Sequence, residues 1–156
     1  MNTIATTLTR TSGLPLAAVY THLIGCDATR MFLPVGALPG VAAVRLHTGS
    51  WAQTGDARTI TLTDGSIARE ALTDVAAPHT FTYTVNAYTS VLRLLVSHGA
   101  STFTCSPTAH GGTLIVWTYA YTPRSLLVKP LVWLVRAFLW QRYMMAAFDR
   151  MMADLS

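Results

Sequence analysis

Hydrophobic and polar positions alternate with period two through most of the middle of the chain. The run "GGTLIVWTYAYTP" (residues 111–123) shows it most cleanly. One set of positions holds Thr113, Ile115, Trp117, Tyr119 and Tyr121; the other holds Leu114, Val116, Thr118 and Ala120. Such alternation marks a strand with two different faces. The same pattern predicts strands over 4–11, 41–46, 58–62, 66–73, 79–86 and 101–106. Asp64-Gly65, between two of these runs, marks a tight hairpin. Residues 74–78, "DVAAP", read as a turn, and so do 107–112, "PTAHGG".

Two regions follow a helical period instead. Residues 14–23, "LPLAAVYTHL", form a short amphipathic helix with Pro15 in its first turn. Asp27 then caps a short helical turn, and Pro34, Gly36, Pro39 and Gly40 make a loop. Residues 126–155 predict a long closing helix, with Ser125 as N-cap and Pro130 starting its regular part or kinking its first turn. At 100° per residue Lys129, Arg136, Tyr143, Arg150 and Asp154 share one face. Leu134, Ala137, Gln141, Met144, Met145, Phe148 and Met152 share the other, which a sheet would receive. A methionine-rich face suits core packing or a deformable pocket wall. Gln141 stands out there, because an amide buried without a partner costs roughly 1–3 kcal/mol.

The order of elements is one strand, two short helices, a meander of strands and a long helix. It predicts an α+β architecture: a curved antiparallel sheet of six or seven strands wrapped around the C-terminal helix. Residues 1–156 read as a single domain.

Composition sharpens this picture. The chain is 51% hydrophobic and 12% charged, about half the roughly 25% charge of an ordinary soluble domain. The surplus apolar surface must line a cavity, an oligomer interface or a membrane contact. A spanning helix is not expected, because Lys129, Arg136 and Arg142 interrupt the most apolar stretch, 126–148. The N-terminal residues lack a basic segment followed by an apolar run, which predicts a cytoplasmic protein. The net charge is +4, but the cations are scattered from Arg10 to Arg150, so nucleic acid is not an expected partner. Cys26 and Cys105 read as reduced thiols. The five histidines show no ligand spacing, so neither a metal nor a cofactor is expected.

These residues resemble the START-like (SRPBCC) helix-grip superfamily, and above all its bacterial polyketide cyclase/dehydratase-like branch. The resemblance spans essentially the whole chain. It is carried by "LPGV" (38–41), "TGSWAQTGDARTITLTDG" (48–65), "REALTDVAAPHTFTYTV" (69–85) and "GGTLIVWTYAYTP" (111–123) before the closing helix. It implies a cavity between sheet and helix, with Thr113, Ile115, Trp117, Tyr119 and Tyr121 on its wall, and Phe81, Tyr83 and Val85 beside them. Gln141 and Met145 would face it from the helix. By pattern, Ala68, Glu70 and Leu72 point inward, as do Arg58, Ile60 and Leu62. The plant members carry a glycine-rich loop where this chain has "TGSWAQTGDA" with Trp51, which argues against a phosphate site there.

Three functions follow as alternatives. The first is binding of a small hydrophobic or aromatic molecule, lipid- or polyketide-like. The second is a cyclase or dehydratase in which Glu70, the only glutamate, acts as acid/base with Arg58, Tyr83 or Tyr119 stabilising an oxyanion. Against it stands a structural Arg58–Glu70 ion pair on adjacent strands. The third is a non-catalytic homodimeric module.

Overall fold

The computed structural model describes residues 2–155. Each alternating run becomes a strand: β1 (Ile4–Ser12), β2 (Val41–Thr48), β3 (Ala57–Leu62), β4 (Ile67–Ala76), β5 (Thr80–Asn86), β6 (Val96–Pro107) and β7 (Thr113–Pro123). They make one seven-stranded sheet in the order β1-β7-β6-β5-β4-β3-β2, and every pair is antiparallel. Bulges interrupt β2 twice, β4 between Leu72 and Asp74, and β6 between Val96 and His98. Each adds local twist, which helps the sheet curl.

Two short helices follow β1. α1 (Leu16–Ile24) buries Val19, Tyr20 and Leu23, as its amphipathic pattern requires. α2 (Ala28–Met31) is capped as expected, with the Asp27 carboxylate accepting the Thr29 backbone N–H at 3.0 Å. The predicted "DVAAP" turn is shorter than expected, because β4 runs on to Ala76 before the chain reverses. β6 starts five residues before the expected Ser101, and a single 3-10 turn at Val91–Leu94 precedes it.

The closing helix is not one uniform α-helix. α3 (Lys129–Val135) leads into a π-helical turn at Arg136–Trp140 and then α4 (Gln141–Ala153). α3 begins after Val128, with Pro130 in its first turn, so Ser125 is not its cap. The inward stripe also differs from the expected one. Val132, Tyr143, Met144, Ala147, Phe148 and Met151 are buried, while Gln141 is half-buried and Met145 is 41% exposed. The physical reason is twofold. The stretch 126–140 is apolar on nearly every side, so hydropathy gives it no phase. The π turn then takes more residues per turn and shifts the phase of everything after it.

The cross-strand register explains where the interior is solid. One row runs Phe81–Phe103–Trp117 across β5, β6 and β7. Its rings stack at 5.0 and 4.9 Å, and Phe148 of α4 meets Trp117 edge-on at 5.5 Å. The next row is Leu72–Tyr83–Ser101–Tyr119, and the next Arg58–Glu70–Val85–Gly99–Tyr121. Along β6 the inward residue therefore shrinks from Phe103 to Ser101 to Gly99. The floor of the sheet deepens in that direction, under α3 and the π turn.

Candidate functional site

Above that deepened floor lies a cavity of about 400 Å³. The sheet contributes Arg58, Ile60, Glu70, Tyr83, Val85, Tyr119 and Tyr121; Val135, Leu139, Trp140 and Tyr143 cover them from the closing helix. Phe32, Leu38, Val91, Leu92 and Leu95 complete the wall from the loops. The lining is mostly apolar, with polar groups at a few points, which is the usual make-up of a small-molecule site.

The sequence-expected residues divide between this cavity and the packed core. Tyr83, Val85, Tyr119 and Tyr121 stand on the cavity wall, together with Glu70 and Arg58. Trp117, Ile115 and Thr113 do not, because they are completely buried in the solid half of the interior. The Trp117 indole N–H donates to the Ser101 hydroxyl at 2.8 Å, and the Thr113 hydroxyl donates to the Leu14 carbonyl at 2.9 Å. Phe81 stacks on Phe103 and borders only a separate void of about 20 Å³. Gln141 and Met145 belong to neither wall, so the buried-amide problem does not arise. Their expected inward orientation is corrected by the helix phase described above.

Arg58 and Glu70 face each other in register on β3 and β4. The Arg58 Nε donates to the Glu70 carboxylate at 2.7 Å, with both side chains 12% exposed. The guanidinium also lies 3.8 Å from the centroid of the Trp51 ring, and Trp51 meets Tyr83 at 5.7 Å. Trp51 holds a left-handed backbone (φ 61°), uncommon for a residue with a side chain. The loop that places it is tied by the Asp56 carboxylate, which accepts the backbone N–H groups of Ala52 and Gln53 at 2.9 and 3.1 Å. Those bonds hold the Asp56 carboxyl below the usual carboxylate range. The loop thus packs an aromatic ring against a cation and is itself braced by an acid, which is no cradle for phosphate.

Burial pushes the Glu70 carboxyl above the ordinary range, and Arg58 offsets part of that rise. Burial likewise raises the hydroxyls of Tyr83, Tyr88, Tyr119 and Tyr121, which keeps them neutral donors at physiological pH. The Tyr88 hydroxyl and the Trp140 indole nitrogen, both from cavity-lining residues, are buried without a hydrogen-bond partner among the described residues. The Tyr119 hydroxyl and the Gly99 backbone approach the Tyr88 hydroxyl closely enough to offset part of that rise, though not in full hydrogen-bonding geometry, so Trp140 is the clearer orphan of the two. Sequence reasoning missed Tyr88, Trp140 and the 3-10 turn. The available signal was the size gradient Phe103, Ser101, Gly99 along one face of β6.

No group of three or more His, Cys, Asp or Glu side chains able to hold a metal occurs among the described residues. No helix among them is long and apolar enough to cross a membrane.

Solved structures share this fold along nearly its whole length. Ara h 8.0201 superposes with a TM-score of 0.69 at 15% identity, covering 99% of this chain and 98% of its own. Major latex-like protein 151 from Panax ginseng superposes with a TM-score of 0.69 at 14% identity, covering 98% and 97%. A structural-genomics protein from Nitrosospira multiformis gives 0.68 at 10% identity, again covering 98% and 97%. At such identities the likeness shows the helix-grip fold alone. No curated protein matches the sequence. A family model described as polyketide cyclase / dehydrase and lipid transport matches residues 3–156. The chain therefore belongs to the polyketide cyclase/dehydrase and lipid transport family, within the START-like superfamily.

Proposed function

We propose that this protein binds one small, mainly apolar molecule in the cavity between the sheet and the closing helix. The observation that carries the reading is the cavity itself: about 400 Å³ of space, apolar walls, and a lining residue, Trp140, whose indole nitrogen is unpaired. An orphaned buried donor costs roughly 1–3 kcal/mol. The indole nitrogen is covered in this arrangement, so a small turn of the Trp140 ring toward the cavity lets a ligand oxygen accept from it and removes that cost, while the ligand's hydrocarbon or aromatic body fills the space beside Val85, Tyr121 and Leu139. A flat or kinked apolar molecule bearing a carbonyl, hydroxyl or carboxyl group has this chemistry, and lipid- and polyketide-like compounds are of this kind.

Native mass spectrometry of the purified protein, followed by titration with ring and chain compounds that carry or lack an oxygen, tests the reading. A one-to-one complex is expected, and Trp140→Phe should weaken the oxygen-bearing ligands by about tenfold while leaving pure hydrocarbons unchanged. If both kinds of ligand respond equally, the unpaired indole is not what selects the ligand.

A second reading rests on Glu70. A buried carboxyl with a raised pKa on the wall of a cavity, flanked by Arg58 and the neutral Tyr83 hydroxyl, is equipped for proton transfer. It predicts turnover of a bound polyketide-like compound that Glu70→Gln abolishes. Binding that survives in Glu70→Gln, with no turnover in either protein, favours the binding reading.

A further inference from the structure

The cavity opens beside the 3-10 turn, where Val91 lines the cavity and is also 72% exposed. Leu94 of the same turn is exposed too. The backbone of Arg124, just after β7, is tied to this turn through Leu95, and its side chain donates to the Arg93 carbonyl. The closing helix leaves from there. Leu127 is 92% exposed, and Leu131, Leu134 and Phe138 follow as an outward stripe, with Trp133 exposed on its flank. Val132, Val135 and Leu139 on the other side of the same helix are buried or line the cavity. So many large apolar side chains turned outward together are not ordinary surface.

Charge says what covers them. Residues 75–148 contain Arg93, Arg124, Lys129, Arg136 and Arg142 and not one Asp or Glu. The rest of the chain carries six cations against seven acids, so the whole net positive charge comes from this segment. Asp64, the carboxylate near the rim, sits on the β3–β4 turn outside it. Arg93, Arg124 and Arg142 are the exposed cations of this segment, and a second copy of the chain docking here face to face would set them against their own kind. Nucleic acid would suit the charge but not a stripe of leucine, tryptophan and phenylalanine. A helix with apolar residues outward and exposed arginines at its two ends and on the neighbouring turn fits the interface of an anionic bilayer, where tryptophan also sits favourably.

We propose that the outer face of α3 and the π turn, with the Val91–Leu94 turn, docks on anionic lipid membranes and presents the cavity mouth to the bilayer. The docking does not require the cavity to be occupied, so it stands or falls apart from the ligand reading.

The test is co-sedimentation of the full chain with vesicles of phosphatidylcholine alone and of phosphatidylcholine with phosphatidylserine. Binding to the anionic vesicles should be at least about tenfold stronger, from roughly fivefold per engaged cation, and should weaken with added salt. Leu127→Ser with Phe138→Ser should abolish it, and Arg93→Glu with Arg142→Glu should reduce it to the level seen with neutral vesicles. Circular dichroism of each variant reports whether it is folded; because each pair acts through different chemistry, loss of one by misfolding leaves the other as a test. Equal binding to both vesicles, or none, overturns the proposal. A concentration-dependent dimer broken by the leucine and phenylalanine changes also overturns it, as does RNA binding indifferent to those changes.

Discussion

Arg58→Met is the most informative single change in the cavity wall. It leaves the Glu70 carboxylate in place, 12% exposed, with its 2.7 Å partner gone. Removing one member of a buried pair typically costs about 3–5 kcal/mol, because the other charge stays buried. The open cavity beside Glu70 lets water approach, which puts the expected loss near the lower end, about 3 kcal/mol. Arg58 also stacks on Trp51 at 3.8 Å, a contact worth about 0.5–1 kcal/mol that a methionine thioether largely replaces. The pH dependence carries the sign. Glu70 has a folded-state pKa above its unfolded value even with Arg58 present. Its ionised form therefore costs stability above the folded pKa, and that cost disappears as pH falls through it. Without Arg58 the folded pKa rises further, so the deficit of Arg58→Met should be largest near neutrality and shrink on acidification. Urea unfolding at about pH 7.5 and about pH 5 compares the deficit at the two pH values. Arg58→Met with Glu70→Leu should recover most of the loss at about neutral pH, since apolar replacement of a whole buried pair is often neutral or stabilising. A deficit that is the same at both pH values, or a double variant no better than the single, refutes this account of the pair.

Other changes probe the neighbouring parts. Trp117→Phe takes the donor from the Ser101 hydroxyl, which it holds at 2.8 Å; a loss of about 1–3 kcal/mol in chemical unfolding is expected, with ligand affinity unchanged because Trp117 is not on the cavity wall. In Gly99→Ala the new methyl would lie 2.8 Å from Tyr119 Cε1, pushing that ring into the cavity, so affinity for large ligands should fall more than for small ones in a titration series. Gly49 has φ +65° and its absent side chain leaves room for the Asp56 carboxylate; Gly49→Ala should cost about 1–3 kcal/mol in thermal unfolding and loosen the loop that seats Trp51. Burial pushes the Cys26 and Cys105 thiols up to about 11, so alkylation near neutral pH should be slow in the folded protein and become fast only on unfolding.

The strands were legible because their two faces differ. β7 and β5 show period two in hydropathy, and every expected strand is found, with β6 extended by five residues at its start and smaller changes elsewhere. The Arg58–Glu70 pairing was legible too, since a short hairpin joined by Asp64-Gly65 leaves little freedom of register. The helix phase was not legible, because a segment apolar all round has no preferred face and a π turn leaves no mark in a 3.6-residue count. The division of the interior was hidden for a different reason. Thr113, Ile115, Trp117, Tyr119 and Tyr121 lie on one face of one strand, yet the first three meet packed side chains and the last two meet space. Period two reports which face is inward, not how far the opposite layer stands from it. That distance is set where Phe148 seats α4 on Trp117, and where Ser101 and Gly99 lower the floor beneath the π turn.

The central claim is that the space under α3 and the π turn is a binding site rather than a packing gap. Titration with a fluorescent apolar probe, comparing the protein with a Val85→Trp variant that fills the cavity from β5, tests it most directly. One probe per chain in the parent protein, and none in a variant that still unfolds cooperatively, is the expected result. Equal binding by both proteins, or no binding by the parent, contradicts it.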